Sequence, residues 1–185
     1  MQAWVVGPGI GTDEAGEGAL RFALDTDLPV VVDADALTIL AAHPKLLRGR
    51  TAPTVLTPHA GEFARLAGHP PGDDRVAATR ELADQFGATV LLKGNVTVIA
   101  ESGTRPVYLN PAGQSWAATA GSGDVLSGVI GALLAAGLPS GEAAAMAAFV
   151  HARAAGLSAA SPGPRPAPTS ASGILGHIRS SIANL

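Results

Sequence analysis

The feature that most constrains the fold of this chain is the alternation of short apolar segments with longer segments of helical period. The clearest apolar segment, at residues 29–33, contains three consecutive valines. Continuous apolar runs of this length are typical of parallel strands that are buried on both faces. Strands that alternate with helices predict an α/β domain in which helices cover both faces of a mostly parallel sheet.

The remaining elements follow the same alternation along the chain. We expect a pair of antiparallel strands at 96–100 and 106–109, joined across Ser102 and Gly103, at one edge of the sheet. The other predicted strands lie at 3–6, 29–33, 53–57 and 88–92. Helices are predicted at 14–24, 36–47, 60–66, 73–86, 124–136, 140–158 and 173–185.

The composition limits the functional classes. The 185 residues are 47% hydrophobic and 15% charged, which favours one globular domain spanning residues 1–185. The net charge is −3 and the basic residues are scattered, so a nucleic-acid partner is not expected. No fully apolar run of about 20 residues suggests a membrane span. With no cysteine and no secretory signal, we expect a cytoplasmic protein.

A glycine-rich motif carries the strongest indication of chemistry. Gly121, Ser122, Gly123 and Asp124 stand at the start of an apolar helix, where free backbone N–H groups can bind an anion. A carboxylate at 124 could accept the proton of a hydroxyl group that attacks phosphorus. The alternative is an ordinary turn in which Asp124 only caps the helix. The motif is not a Walker A sequence.

A second motif follows the predicted strand 88–92. Its lysine could neutralise phosphate charge and its glycine would allow close approach of a nucleotide, although a solvated lysine before a hairpin fits as well. The residues are Lys93, Gly94, Asn95, Val96 and Thr97.

Three further motifs follow the other predicted strands. His59 could bind substrate or could simply cap a helix. Asp33 and Asp35 could hold a hydrated Mg²⁺, or Asp35 could cap the following helix. Gly9 and Gly11 lie in a glycine loop where a ligand could approach the backbone. Because ligands of open α/β sheets bind beyond the carboxyl ends of the strands, we expect these motifs to meet at one edge.

Together these motifs resemble the NAD(P)H-hydrate dehydratases, which have a ribokinase-like fold, a three-layer αβα sandwich with a mostly parallel central sheet. The resemblance covers nearly the whole chain in order. It is carried by GPGIG at 7–11, VVDADAL at 31–37, LTPHAGEFARLAG at 56–68, VLLKGNVTVIA at 90–100, NPAGQSWAATAGSGDVLSGVIGALLAAG at 110–137, and AAAMAAFVHARAAG at 143–156 with its His151.

The resemblance implies an ADP- or ATP-dependent dehydration of the S epimer of hydrated NADH or NADPH, which releases phosphate and AMP or ADP. Asp124 would act as base on the substrate hydroxyl, and residues 121–123 would surround the transferred phosphate. Residues 93–97 and Gly123 would bind the nucleotide. His59, Gly9 and Gly11 would hold the hydrated dinucleotide. Mg²⁺ is expected with the nucleotide, and its protein ligands are left open.

The chain also departs from the family pattern. It has no counterpart of an upstream segment with a Gly-Ser loop and a Gly-Ala pair, so we expect it to lack part of the substrate site. Ala120 replaces a glycine before the GSGD motif. The family further implies a homo-oligomer, often a tetramer, and an epimerase as a fused domain or a separate partner. A ribokinase-like kinase of a thiazole, pyrimidine or sugar, and an inactive nucleotide-binding fragment, are the alternative functions.

Overall fold

Six strands form one mixed sheet in the computed structural model, which describes residues 2–103, 105–112 and 114–185. The sheet runs in chain order from β1 to β6, with β1 to β4 parallel and β5 and β6 antiparallel to their neighbours. The strands are β1 Trp4–Val6, β2 Val30–Val32, β3 Thr54–Leu56, β4 Thr89–Leu92, β5 Val96–Ala100 and β6 Tyr108–Pro111. The predicted parallel sheet and the predicted edge hairpin are both confirmed. Residue 104 of the hairpin connection lies outside the described residues, as does residue 113 of the predicted loop that follows.

The described residues form seven α-helices, six of which cover the two faces of the sheet. They are α1 Glu14–Leu24, α2 Ala34–Ala42, α3 Ala60–Ala67, α4 Arg75–Phe86, α5 Ser122–Ala135, α6 Ser140–Ala160 and α7 Ala171–Ala183, and a 3₁₀ turn covers Pro44–Leu47. Helices α1 to α4 share one hydrophobic core with one face of the sheet, while α5 and α6 share a second core with the opposite face. Helix α7 packs against α6, away from the sheet. The result is the three-layer αβα arrangement.

The two cores explain why the strands are apolar at every position. In β2, Val30 and Val32 face α1 to α4, whereas Val31 between them faces α5 and α6. All three valines have no exposed surface. A strand whose alternate side chains enter two different cores cannot have a polar face.

Most helix boundaries lie within two residues of the sequence prediction, and two of the differences have a clear physical cause. The helix expected at 36–47 ends at Ala42, because Pro44 cannot donate the backbone hydrogen bond that a continuing helix needs. The chain resumes as the 3₁₀ turn. Helix α5 begins at Ser122 rather than at Asp124, since Gly121 takes the left-handed conformation with φ +80° and forms the helix start.

Helix α6 qualifies the expectation about membranes. Its 21 residues are long and apolar enough to cross a membrane by length and composition alone. In this structure, however, more than half of its most apolar stretch is buried, against the sheet and its neighbouring helices. The helix therefore serves as a central packing element of the fold.

Candidate active site

A cavity of about 480 Å³ opens at the carboxyl edge of β4, between the start of α5 and helix α6. Four of the five residues of the predicted nucleotide motif line it: Lys93, Gly94, Asn95 and Thr97. His59, Ser122 and Gly123 also line it, so three sequence motifs meet there as expected. Val96 begins β5 with its side chain exposed and is not among the lining residues.

Lys93 is held in place by a buried carboxylate. Its Nζ lies 2.9 Å from Oδ1 of Asp33, which is only 1% exposed, and 3.7 Å from Oε2 of Glu62. The other oxygen of Asp33 accepts a 2.7 Å hydrogen bond from the hydroxyl group of the buried Ser127. Because its partner cannot move freely, the ammonium group is fixed at the wall of the cavity, where a phosphate could meet it.

The pKa of Asp33 reflects this environment. Burial alone would raise it, but the Lys93 charge and hydrogen bonds from Lys93, Ser127 and Thr57 outweigh the burial. The pKa of Asp33 therefore lies below its ordinary value. The carboxylate stays ionised and keeps the ammonium group paired.

The start of α5 forms another part of the cavity lining. Ser122 is buried and donates a 2.5 Å hydrogen bond from its hydroxyl to the carbonyl of Ala117, which fixes the loop before the helix. Within the described part of the chain, the backbone N–H groups of Gly123 and Asp124 have no acceptor. A Cβ placed on Gly123 would lie 3.5 Å from Lys93 Nζ and 3.7 Å from Oδ2 of Asp33, so the start of α5 adjoins the ion pair that these two residues form. Together the N–H donors and the Lys93 ammonium group form an anion-binding arrangement.

Asp124 occupies the first turn of α5 but is exposed and does not line the cavity. A Cβ on Gly121 would lie 4.0 Å from its Oδ2, so the carboxylate folds back over the helix start. Gly123 and Ser122 thus face the cavity while Asp124 lies at its outer side. Ala120 is not among the positive-φ residues, so a glycine is not needed there.

His59 is a helix cap, as one of the two sequence alternatives had it, and its ring also faces the cavity. Its Nδ1 accepts hydrogen bonds from the backbone N–H groups of Gly61 and Glu62, and the Glu62 side chain accepts from the His59 N–H in return. This is a capping box at the start of α3. The ring also lines the cavity, with about half of the side chain exposed.

The glycine loop after β1 lies next to the Asp33 segment and is not part of the cavity lining. Gly9 and Gly11 have φ values of +70° and +77°, as expected of a tight glycine turn. The N–H of Gly11 donates to Asp35 Oδ2 at 3.0 Å. The suggestion that Asp35 caps α2 is wrong, because Asp33 is the cap and accepts from the N–H of Ala34.

His151, to which the sequence motifs give no role, also lines the cavity. It lies on α6, is 6% exposed, and its Nε2 is without a hydrogen-bond partner in the described part of the chain. Burial lowers its pKa below the ordinary value, the charge of Lys93 lowers it further, and the backbone of Ser122 opposes the shift. A lone histidine in an alanine-rich helix was the available signal. Asn110, Leu126, Ala148 and Ala152 line the cavity as well.

The described residues do not bring a set of metal ligands together. Among residues 2–103, 105–112 and 114–185, no three His, Asp or Glu side chains converge. Asp33 and Glu62, the two carboxylates beside Lys93, are engaged by Lys93, Ser127 and the His59 N–H. We therefore assign no residue to Mg²⁺.

Comparison with known proteins identifies the family. The family model described as NAD(P)H-hydrate dehydratase matches residues 1–176. The chain belongs to this family. It is 79% identical, over all of its 185 residues, to the bifunctional NAD(P)H-hydrate repair enzyme Nnr of Mycobacterium tuberculosis, of which it covers 39%. It is also 48% identical over 84% of its length to the ADP-dependent (S)-NAD(P)H-hydrate dehydratase of Neisseria meningitidis, of which it covers 54%.

A solved structure of the same family supports the fold. The ADP/ATP-dependent NAD(P)H-hydrate dehydratase from Bacillus subtilis, co-crystallised with ATP and Mg²⁺, superposes with a TM-score of 0.84 at 30% identity. The superposition covers 99% of this chain and 64% of that one. A ribokinase-like superfamily protein from Enterococcus faecalis superposes with a TM-score of 0.78 at 26% identity, over 97% of this chain and 63% of that one. The chain thus has the ribokinase-like fold and spans less than two thirds of the length of these relatives.

Proposed function

We propose that this chain binds ADP or ATP and uses it to dehydrate the S epimer of hydrated NADH and NADPH. The proposal is supported by the family membership and by the named activity of the Neisseria meningitidis relative. The observation that carries it is the anion-binding arrangement in the cavity, where the N–H groups at the start of α5 lie beside the Lys93 ammonium group. Such an arrangement binds the phosphates of a nucleotide and stabilises the charge that develops during phosphoryl transfer.

The chemistry requires a better leaving group than hydroxide. The substrate hydroxyl attacks the terminal phosphorus of the nucleotide, its oxygen–hydrogen bond breaks, and AMP leaves when the nucleotide is ADP. In the second step the lone pair of the ring nitrogen expels phosphate, and a proton is lost from the neighbouring carbon. The reduced nicotinamide is restored without any protein nucleophile.

Asp124 is proposed as the base that takes the hydroxyl proton. Asp124 lies in the first turn of α5, next to Gly123 but outside the cavity lining. This position supports an arrangement in which the nucleotide phosphate binds on the cavity side of the helix start and the substrate binds on its outer side. His59, Gly9 and Gly11 are proposed to contact the substrate, since their loops follow β3 and β1, the two parallel strands on either side of β2, at this edge. Lys93 to Thr97, with Gly123, are proposed to hold the nucleotide.

Magnesium is proposed to arrive with the nucleotide, on its phosphate oxygens, as Mg²⁺ often binds through phosphates and few protein ligands. We further propose a cytoplasmic homo-oligomer that acts together with an epimerase. An epimerase fits the proposal because an enzyme specific for the S epimer leaves the R epimer unrepaired.

The test is turnover of hydrated NADH with ADP or ATP, followed by the recovery of absorbance of the reduced nicotinamide. Asp124→Asn should lower turnover at least a hundredfold, since general-base catalysis contributes about 10²–10⁴, and should leave ADP affinity unchanged. Glu14→Gln is the matched control, because it removes an exposed carboxylate from the first turn of α1 instead. Unchanged turnover in Asp124→Asn would refute the role of Asp124. Turnover of a thiazole, pyrimidine or sugar in place of the hydrated dinucleotide would refute the proposed substrate.

A further inference from the structure

One wall of the cavity contains a buried polar side chain that the proposed reaction does not use. His151 is 6% exposed, and its Nε2 is covered by protein yet lacks a hydrogen-bond partner among the described residues. It is the only buried side-chain nitrogen or oxygen in that part of the chain with this property. The imidazole nevertheless belongs to the cavity lining, together with Ala148 and Ala152 from the same helix.

An unpaired nitrogen at this position is costly for the folded protein. A buried polar atom without a partner costs about 1–3 kcal/mol, and buried polar groups in folded proteins are nearly always paired. The rest of the buried face of α6 is formed largely by alanine. An apolar side chain would satisfy packing at 151 without this cost, so packing alone does not account for the histidine.

The surroundings of His151 indicate what kind of group could pair with it. The charged part of the cavity, with Lys93 and the start of α5, suits phosphate. The apolar part of the lining includes Leu126 and, from the same helix as His151, Ala148 and Ala152. Burial favours a neutral ring, which brings no positive charge to a phosphate. An uncharged polar group on a largely apolar, flat molecule fits this part of the cavity.

We propose that His151 hydrogen-bonds through Nε2 to the nucleoside part of the bound nucleotide. Because the ring lines the cavity while Nε2 is covered, this hydrogen bond requires a rotation about χ2, which is broad for histidine. The imidazole then selects for the nucleoside, while Lys93 and the α5 N–H groups bind the phosphates. This inference rests on the proposed function, because it takes a nucleotide to be the ligand of the cavity.

The experiment compares two ligands and three variants by isothermal titration calorimetry of the full chain. ADP carries both the nucleoside and the phosphates, whereas inorganic pyrophosphate carries only the phosphates. His151→Gln places an amide where Nε2 lies, and His151→Asn places one only where Nδ1 lies. His151→Leu has no polar group in place of either ring nitrogen. We expect ADP affinity to fall about tenfold in His151→Leu and His151→Asn, and to stay within about threefold of the unmodified chain in His151→Gln, as one lost hydrogen bond predicts.

Pyrophosphate affinity should be the same in all four proteins. Equal ADP affinity in His151→Leu would overturn the inference, as would a parallel loss of ADP and pyrophosphate binding, which would place the effect at the phosphate end. If the unmodified chain bound neither ligand, the proposed function would fail, and the inference with it. Thermal melting of His151→Gln and His151→Asn verifies that the comparison is between folded proteins.

Discussion

Lys93 couples the stability of the fold to the proposed binding of nucleotide. Its ammonium group is the only charged partner within 4 Å of the buried Asp33 carboxylate in the described part of the chain. Breaking a buried ion pair by removing one partner leaves an uncompensated charge, which is usually more costly than replacing both partners. The pair is thus a structural element as well as part of the cavity wall.

We expect Lys93→Met to lower the free energy of unfolding by about 3 kcal/mol, because Asp33 keeps its charge without the ammonium group. The double variant Asp33→Asn with Lys93→Met should be more stable than Lys93→Met alone, since it also removes the charge of the deeply buried Asp33 carboxylate. Urea unfolding of the unmodified chain, Asp33→Asn, Lys93→Met and the double variant measures the four free energies of unfolding. If the loss of unfolding free energy in the double variant equalled the sum of the two single losses, the ion pair would not contribute to stability as proposed. Nucleotide affinity should be reduced in both proteins that lack Lys93.

The residues of the cavity could be predicted from sequence only where they belong to a motif. Lys93, Gly94 and Gly123 stand in short segments directly after a strand or before a helix, and topology then brings those segments together. His151 and Leu126 lie within helices whose sequence pattern indicates burial only. Their contribution depends on how α5 and α6 pack, which local sequence does not specify. The same holds for Ser127, whose partner Asp33 is 94 residues away.

At the scale of elements, the glycine loop after β1 is fixed by its contact with the Asp33 segment. Gly7 has φ +136°, and a Cβ at this position would lie 1.7 Å from the carbonyl oxygen of Asp33. No side chain can be accommodated unless β1 and β2 separate at the edge where the site lies. The loop therefore needs glycine for close approach as well as for its dihedral angles.

Gly7→Ala should lower the free energy of unfolding by about 3 kcal/mol or more, since it combines a backbone clash with a strained φ. Gly18→Ala is the matched control. Gly18 lies inside α1, has an ordinary φ, and has open space around the position of a Cβ. Alanine there should raise stability by about 0.5–1 kcal/mol. Chemical denaturation checks both, and a mild effect of Gly7→Ala would show that the loop can move away from Asp33.

Most elements could be predicted from the sequence because the hydrophobic period and the residues that end helices indicate the same boundaries. Gly68 and Gly87 end α3 and α4 in the left-handed conformation, and both stand where the helical pattern stops. The boundaries that were missed had competing signals. Pro44 lies within an apolar pattern that extends past it, and Ser122 and Gly123 are weak helix formers that nevertheless start α5.

At the scale of the whole molecule, buried titratable groups determine how stability depends on pH. The pKa of His151 is lowered by folding, and so is that of Asp33. For both groups the unfolded chain binds a proton at a higher pH than the folded chain does. Stability must therefore fall as the pH falls through the interval between the two values. The two intervals begin at different pH values, since the ordinary values are 6.5 for histidine and 3.8 for aspartate.

The loss due to His151 should begin as the pH falls through about 6.5 and should end once the pH is below its folded pKa, where both states carry the proton. Within that interval one proton contributes a slope of at most about 1.4 kcal/mol per pH unit. His151→Gln cannot take up the proton, so its free energy of unfolding should change less between pH 7 and pH 5 than that of the unmodified chain. Urea unfolding of both proteins at pH 8, 7, 6 and 5 measures this difference. Parallel curves would mean that the imidazole is protonated as readily in the folded chain as in the unfolded one, which contradicts its burial against α5. Asp33 contributes only below about pH 4, so it cannot account for a change in this range.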